Sequence, residues 1–176
     1  MRIVCNILLA LLLVCASTAC SAMYDQAEPS YEKTTLVRVG ENAPDFTVTM
    51  LDGSSQSLSD LRGQTVLLVF FATWCDDCQR QLTALEEVKS SYADKNLTIL
   101  AISRGEKRAD VRAYISEYNF TVNVGVDTDS SIYSLYAEKY VPRCFVIDPL
   151  GRIVALSVEY NKQEFELLCT VIESLL

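Results

Sequence analysis

The sequence predicts an α/β domain in which a central mixed β-sheet is flanked by helices and carries an N-terminal β-hairpin extension. Three observations carry this expectation. The run Thr65–Ala72 is apolar without a polar face, which suits a strand buried on both sides. Asp76–Ala93 follows directly and places Leu82, Leu85, Val88 and Tyr92 at helical spacing. A second apolar run, Leu97–Ser103, comes next. A strand–helix–strand order implies parallel neighbours joined by a right-handed crossover.

The elements read in order as follows. Met1-Arg2 is a short positive region, Ile3–Ala16 is apolar except for Asn6, and small residues follow up to Ala22. This is the layout of a secretory signal peptide over residues 1–19. The run is short for a membrane span, which takes about 20 apolar residues. Ser17-Thr18-Ala19-Cys20 resembles a bacterial lipoprotein cleavage box, with Ser17 where Leu is usual, so Cys20 is a lipidation candidate. Ordinary cleavage near Ala19 or Ala22 is the alternative. Residues 20–38 are polar and aperiodic and read as a flexible tether, with the domain over 39–176.

Within the domain, Asp45–Met50 alternates as a strand does, and Leu51-Asp52-Gly53-Ser54 reads as a hairpin turn. Ser57–Asp60 opens a short helical turn that Gly63 stops. Lys107–Tyr118 fits a helix, Val122–Val126 a short strand and Ser130–Ala137 a short helix. Arg143–Asp148 and Arg152–Val158 read as strands joined by the turn Pro149-Leu150-Gly151. Asn161–Glu164 resembles a capping box and opens a last helix that runs to Leu176.

Composition removes several kinds of chemistry. The 176 residues contain no histidine and carry a net charge of -8. Without imidazole there is no Ser-His-Asp or Cys-His nucleophile arrangement, and no metal site is expected. An acidic surface without a Lys/Arg run argues against nucleic acid as a partner. Seven cysteines remain, of which Cys5 and Cys15 lie in the leader.

Cys75-Asp76-Asp77-Cys78 stands where the first buried strand stops and a helix starts. Two thiols one helical turn apart can close a small disulfide and open it again. Unpaired N–H groups and the positive dipole end of the helix favour an anion at Cys75, which makes it the attacking residue. Cys78, one turn inward, would resolve the mixed disulfide. Cys144 and Cys169 lie on apolar faces and read as small buried hydrophobes. A structural disulfide or a third redox thiol is the alternative for that pair.

Beyond these residues, five motifs in order carry a resemblance. They are Gly40-Glu41-Asn42-Ala43-Pro44-Asp45-Phe46, Leu58-Ser59-Asp60-Leu61-Arg62-Gly63, Phe71-Ala72-Thr73-Trp74-Cys75-Asp76-Asp77-Cys78, Tyr140-Val141-Pro142 and Phe145–Ile153. Together they resemble the TlpA/ResA-like thioredoxin proteins from about Gly40 to Leu176. The resemblance implies a thioredoxin-like fold, location in the bacterial periplasm or cell envelope, and reduction or exchange of disulfides in envelope proteins. It implies a redox-active Cys75–Cys78 disulfide, an upstream thiol electron donor and no cofactor, while the cleavage box at Cys20 is what would supply a membrane lipid anchor. It also implies that Pro142 is cis and that Val141, Pro142 and Trp74 contact substrate; a plain core aromatic is the alternative for Trp74.

Three departures stand out. Asp77 replaces the usual Pro, Val69 replaces a polar residue that often precedes the first cysteine on its strand, and Arg143-Cys144 replaces a small polar residue after the proline. Other functions on this fold fit less well. A peroxiredoxin-like peroxidase would have Thr where Ala72 stands, and a copper chaperone would need CxxxC and a distant His. A non-enzymatic binding module, with the cysteines as a staple, is the remaining alternative.

Asp76 and Asp77 are the expected redox-tuning residues. As anions beside Cys75 they disfavour its thiolate, which makes the disulfide harder to reduce and the protein a reductant. The couple should lie nearer about -270 mV, as in thioredoxin, than about -120 mV, as in the oxidant DsbA. A glutathione redox titration that placed it at the oxidising end would reverse this assignment.

Overall fold

The computed structural model describes residues 30–176. The leader and Cys20 lie outside the described residues. No helix among the described residues is long and apolar enough to cross a membrane.

Seven strands form one sheet: β1 Thr47–Met50, β2 Ser55–Ser57, β3 Thr65–Phe71, β4 Leu97–Arg104, β5 Asn123–Asp127, β6 Arg143–Ile147 and β7 Ile153–Val158. Their spatial order is β2-β1-β5-β4-β3-β6-β7. β3, β4 and β5 run parallel, and the remaining pairs are antiparallel. Besides a single helical turn over Tyr31–Thr34, the helices of the described residues are α1 Asp76–Ser91, α2 Arg108–Glu117 and α3 Lys162–Glu173. This is the mixed, helix-flanked sheet expected of a thioredoxin-like fold, and the β1–β2 hairpin is its N-terminal extension.

β3 is at the heart of the sheet because every one of its residues is apolar or small enough to be buried. All seven are buried, and β4 and β6 flank them in register. One face is an aromatic layer in which Phe70 meets Tyr133, Tyr136 and Phe145 at centroid distances of 5.3, 5.3 and 6.2 Å. The other face takes α1, whose Cys78, Gln81, Leu82, Leu85 and Val88 are buried at helical spacing. At α3 the Asn161 carbonyl oxygen of the side chain accepts from the N–H groups of Gln163 and Glu164, which starts the helix as its sequence suggests.

Two boundaries differ from expectation. Ser130–Ala137 contains only the 3₁₀ turn Tyr133–Leu135. The Asp127 carboxylate accepts from the Tyr133 N–H at 2.8 Å, Ser130 has a φ of 61°, and Tyr133 and Tyr136 are both drawn into the core, so the segment cannot continue as an α-helix. The packed domain also begins earlier than residue 39, because Thr34 and Val37 are buried in it. The Leu36 N–H donates to the Tyr136 carbonyl and the Glu138 N–H to the Thr34 carbonyl, both at 2.9 Å. Arg143 explains this docking. Its fully buried guanidinium donates to the Thr35 hydroxyl at 2.6 Å, to the Thr34 hydroxyl at 2.8 Å, and to the Lys139 carbonyl at 2.8 Å. A buried charge needs such acceptors, and only the N-terminal segment supplies the two hydroxyls.

The hairpin is seated on β5 through Gly125, which pairs with Met50. A Cβ there would lie 2.7 Å from a Val48 methyl, and Val48 is itself buried. Gly125→Ala should therefore cost about 1–3 kcal/mol of stability through overpacking. Urea denaturation with an unchanged midpoint would show that the seam has room to spare.

Candidate active site

β3 ends at Phe71, and the chain turns through Ala72-Thr73-Trp74 into α1. Cys75 is the N-cap of α1, with extended backbone (φ -102°, ψ 113°), and its sulfur accepts from the Cys78 N–H at 3.2 Å. A sulfur thus occupies the place where a Ser or Asp oxygen usually receives an orphan helix N–H. The Cys75 Sγ–H points to the Val141 carbonyl at 3.4 Å. Cys75 is half-buried, whereas Cys78 has no exposed surface, and both are free thiols here. The Ala72 N–H donates to the Cys78 sulfur at 3.5 Å. Burial, and then the neighbouring Cys75, push the Cys78 thiol far above the ordinary range. One sulfur borders solvent and the other lies buried beneath it.

The expected partners gather around this pair. The Val141–Pro142 peptide is cis and its carbonyl side faces Cys75. Trp74 is 71% exposed, so it is no core aromatic. With Arg104, Lys139, Tyr140, Val141 and Glu159 it lines a groove of about 370 Å³. Asp76 and Asp77 occupy the first turn of α1, as acids at a positive helix end should. Asp77 also pairs with Arg80 one turn on, which offsets part of the charge it presents to Cys75.

The remaining cysteines do not join the site. Cys144 is buried, and burial pushes its thiol up to about 12. Burial likewise raises Cys169, helped by Glu173 and Glu166. Both are free thiols. Arg143, which directly follows Pro142, turns inward and presents no charge to the groove. Among the described residues no group of three or more His, Cys, Asp or Glu side chains is placed to hold a metal ion.

Sequence reasoning missed Glu106. Its carboxylate accepts from the Thr73 N–H at 3.2 and 3.0 Å and from the Thr73 hydroxyl at 2.5 Å. It therefore clamps the turn between β3 and Cys75 from a position 33 residues away in sequence. Glu106-Lys107 looks like ordinary polar loop composition. The available signal was its place just past the C-terminal end of parallel strand β4, where sites of open α/β sheets collect. Glu106→Ala and Thr73→Val should each cost about 1–3 kcal/mol, since the bond has a charged acceptor. In a urea double-mutant cycle the two losses should fail to add by about 1 kcal/mol. Simple additivity would remove Glu106 from the frame of the site.

Comparison with known proteins agrees with this geometry. Residues 39–156 match the model of the AhpC/TSA family. A thiol-disulfide oxidoreductase ResA of Bacillus cereus is 30% identical over 131 residues, which cover 74% of this chain and 76% of that protein. The ResA of Geobacillus kaustophilus is 32% identical over 123 residues, covering 70% and 71%. Among solved structures, one from Bacteroides thetaiotaomicron, described as a candidate protein disulfide isomerase, superposes with a TM-score of 0.78 at 34% identity. The match covers 81% of this chain and 92% of that one. A Chlorobium tepidum protein described as a candidate thiol:disulfide interchange protein DsbE gives a TM-score of 0.74 at 26% identity, covering 78% and 97%. With its paired thiols and its sheet order, the chain belongs to the AhpC/TSA family and, within the thioredoxin superfamily, to the ResA-like thiol-disulfide oxidoreductases.

Proposed function

We propose that this oxidoreductase is exported and reduces or exchanges disulfides in cell-envelope proteins, with Cys75 as nucleophile and Cys78 as resolving thiol. The observation that carries the reading is the half-exposed Cys75 sulfur at the N-terminus of α1, directly above a buried second thiol. The Cys75 thiolate attacks one sulfur of a client disulfide and expels the other as a thiolate. Cys78 then attacks Cys75, forms the intramolecular disulfide and releases the second client thiol. An upstream thiol donor restores the pair.

In this reading an extended client segment contacts Trp74, Val141 and Pro142, of which Trp74 and Val141 line the groove. Asp76 and Asp77 hold the couple toward the reducing side, Asp77 less so because Arg80 shares its charge. Export rests on the leader over residues 1–19, and attachment to a membrane rests on a lipid at Cys20. A protein anchored in this way would meet its clients at the membrane surface.

A peroxidase reading is disfavoured by Ala72, which leaves no hydroxyl three residues before Cys75. The two readings separate cleanly in the test. The dithiothreitol-reduced protein should reduce insulin, and Cys75→Ser should abolish this. Cys78→Ser should trap envelope proteins as mixed disulfides, and Cys20→Ala should move the protein from membrane to soluble envelope fractions. Hydrogen peroxide turnover as fast as insulin reduction, or a Cys78→Ser variant that traps nothing, would overturn the proposal.

A further inference from the structure

The groove beside Cys75 carries positive charge in an acidic protein. The chain has a net charge of -8, yet Arg104 and Lys139 line this groove against one carboxylate, Glu159. The other flank of Cys75 has the opposite sign, with Asp76 and Asp77 in the first turn of α1 and Glu106 on the Thr73 turn. Charge therefore changes sign across the reactive sulfur.

Arg104 is held in place. It is the last residue of β4 and is half-buried. Its guanidinium lies over the Tyr133 ring, 4.2 Å from the centroid. Tyr133 is buried and packs edge-on against Phe70, and its hydroxyl meets the Lys139 carbonyl at 2.6 Å and the Tyr140 carbonyl at 2.7 Å. The next carbonyl, that of Val141, is the one that meets the Cys75 sulfur. The one after it, on Pro142, accepts from the Glu159 N–H at 2.8 Å. A single pinned loop thus joins the ring beneath Arg104 to the group that faces Cys75.

Stacking covers one face of a guanidinium and leaves its N–H edge for an acceptor. The carboxylate of Asp127, the register partner of Arg104 on β5, accepts from the Tyr133 N–H at 2.8 Å. Among the described residues no carboxylate forms an ion pair with Arg104. A planar fork on an aromatic platform, half out of water, suits a carboxylate that arrives with a ligand.

We propose that the groove selects clients that carry an Asp or Glu side chain close in sequence to their disulfide, with Arg104 pairing with that carboxylate and Lys139 adding attraction. The inference rests on the disulfide exchange assigned above to Cys75 and Cys78, and it names the client class. A basic client side chain at the same place meets two like charges, which supplies the repulsive half of the discrimination. Trp74 gives the segment a flat apolar surface but does not read its charge. Arg104 and Lys139 set specificity and take no part in the transfer between sulfurs.

Synthetic peptides test this. Each has a single cysteine held as a thiopyridyl mixed disulfide, with Glu, Gln or Lys two positions before or two positions after it. The Cys75 thiolate attacks the peptide sulfur, the disulfide breaks, and its electron pair leaves on the pyridine sulfur as a coloured thione. The second-order rate constant of that release is measured with reduced protein. At one of the two positions Glu should outpace Lys about tenfold or more, with Gln between them. Arg104→Gln should bring this ratio close to one, and Arg104→Glu should reverse it. Raising the salt from about 50 to about 500 mM should shrink the parental ratio. Each protein is its own reference, so a general loss of activity leaves the ratio unmoved. Lys139→Gln, at an exposed side chain, should lower the ratio about twofold and keeps the test valid where Arg104→Gln disturbs Tyr133. A ratio near one at both positions in the unaltered protein, or a ratio that survives both Arg104→Gln and Lys139→Gln, would overturn the proposal. If no peptide is attacked, or if Cys75→Ser releases the thione as fast, the exchange reading itself falls, and the client class with it.

Discussion

The hydrogen bond from the Cys78 N–H to the Cys75 sulfur is the constraint around which the site is built. It makes one atom serve as helix cap and as reactive centre. Because the cap must lie at the end of α1, and α1 must lie across β3, the sulfur is fixed at the C-terminal edge of the most deeply buried strand. β3 cannot slide to relieve this, since a shift of one residue would turn its buried side chains to the wrong face on both β4 and β6. The fold thus sets where the sulfur is, and the cap sets which way it points.

Much of this was legible in the chain. An eight-residue apolar run followed by helical spacing could only be a buried strand entering a helix, and the CxxC fell at the junction. The motifs around Val141-Pro142 located the loop that meets Cys75. The illegible parts were those that depend on distant residues. Glu106 reaches back to Thr73 through tertiary structure alone, with no spacing to betray it. Trp74 could equally have been core or surface by composition, and it lies exposed in the turn that leads into α1. Arg143 was read as an odd substitution beside the proline. Its burial depends on two threonines more than a hundred positions earlier, which no local pattern links to it.

Polar groups in this interior fall into two sorts. Arg143 and Asp127 are buried with their hydrogen bonds made, so they specify local geometry: one pins a segment, the other starts a 3₁₀ turn. The side-chain polar atoms of Thr65, Gln81 and Ser103 and the Tyr114 hydroxyl are buried with theirs unmade. A hydrophobic residue at any of these positions would cost nothing in pairing.

The Arg143 guanidinium also bears on where the chain is held. Because Thr34 and Thr35 supply two of its acceptors, the stretch that leads into the domain is fastened next to the proline loop. Excising the protein at Val39 would leave the buried Arg143 guanidinium, next to Pro142, without two of its acceptors. A pull on the chain at Thr34 and Thr35 would likewise reach first the loop whose Val141 carbonyl meets the Cys75 sulfur.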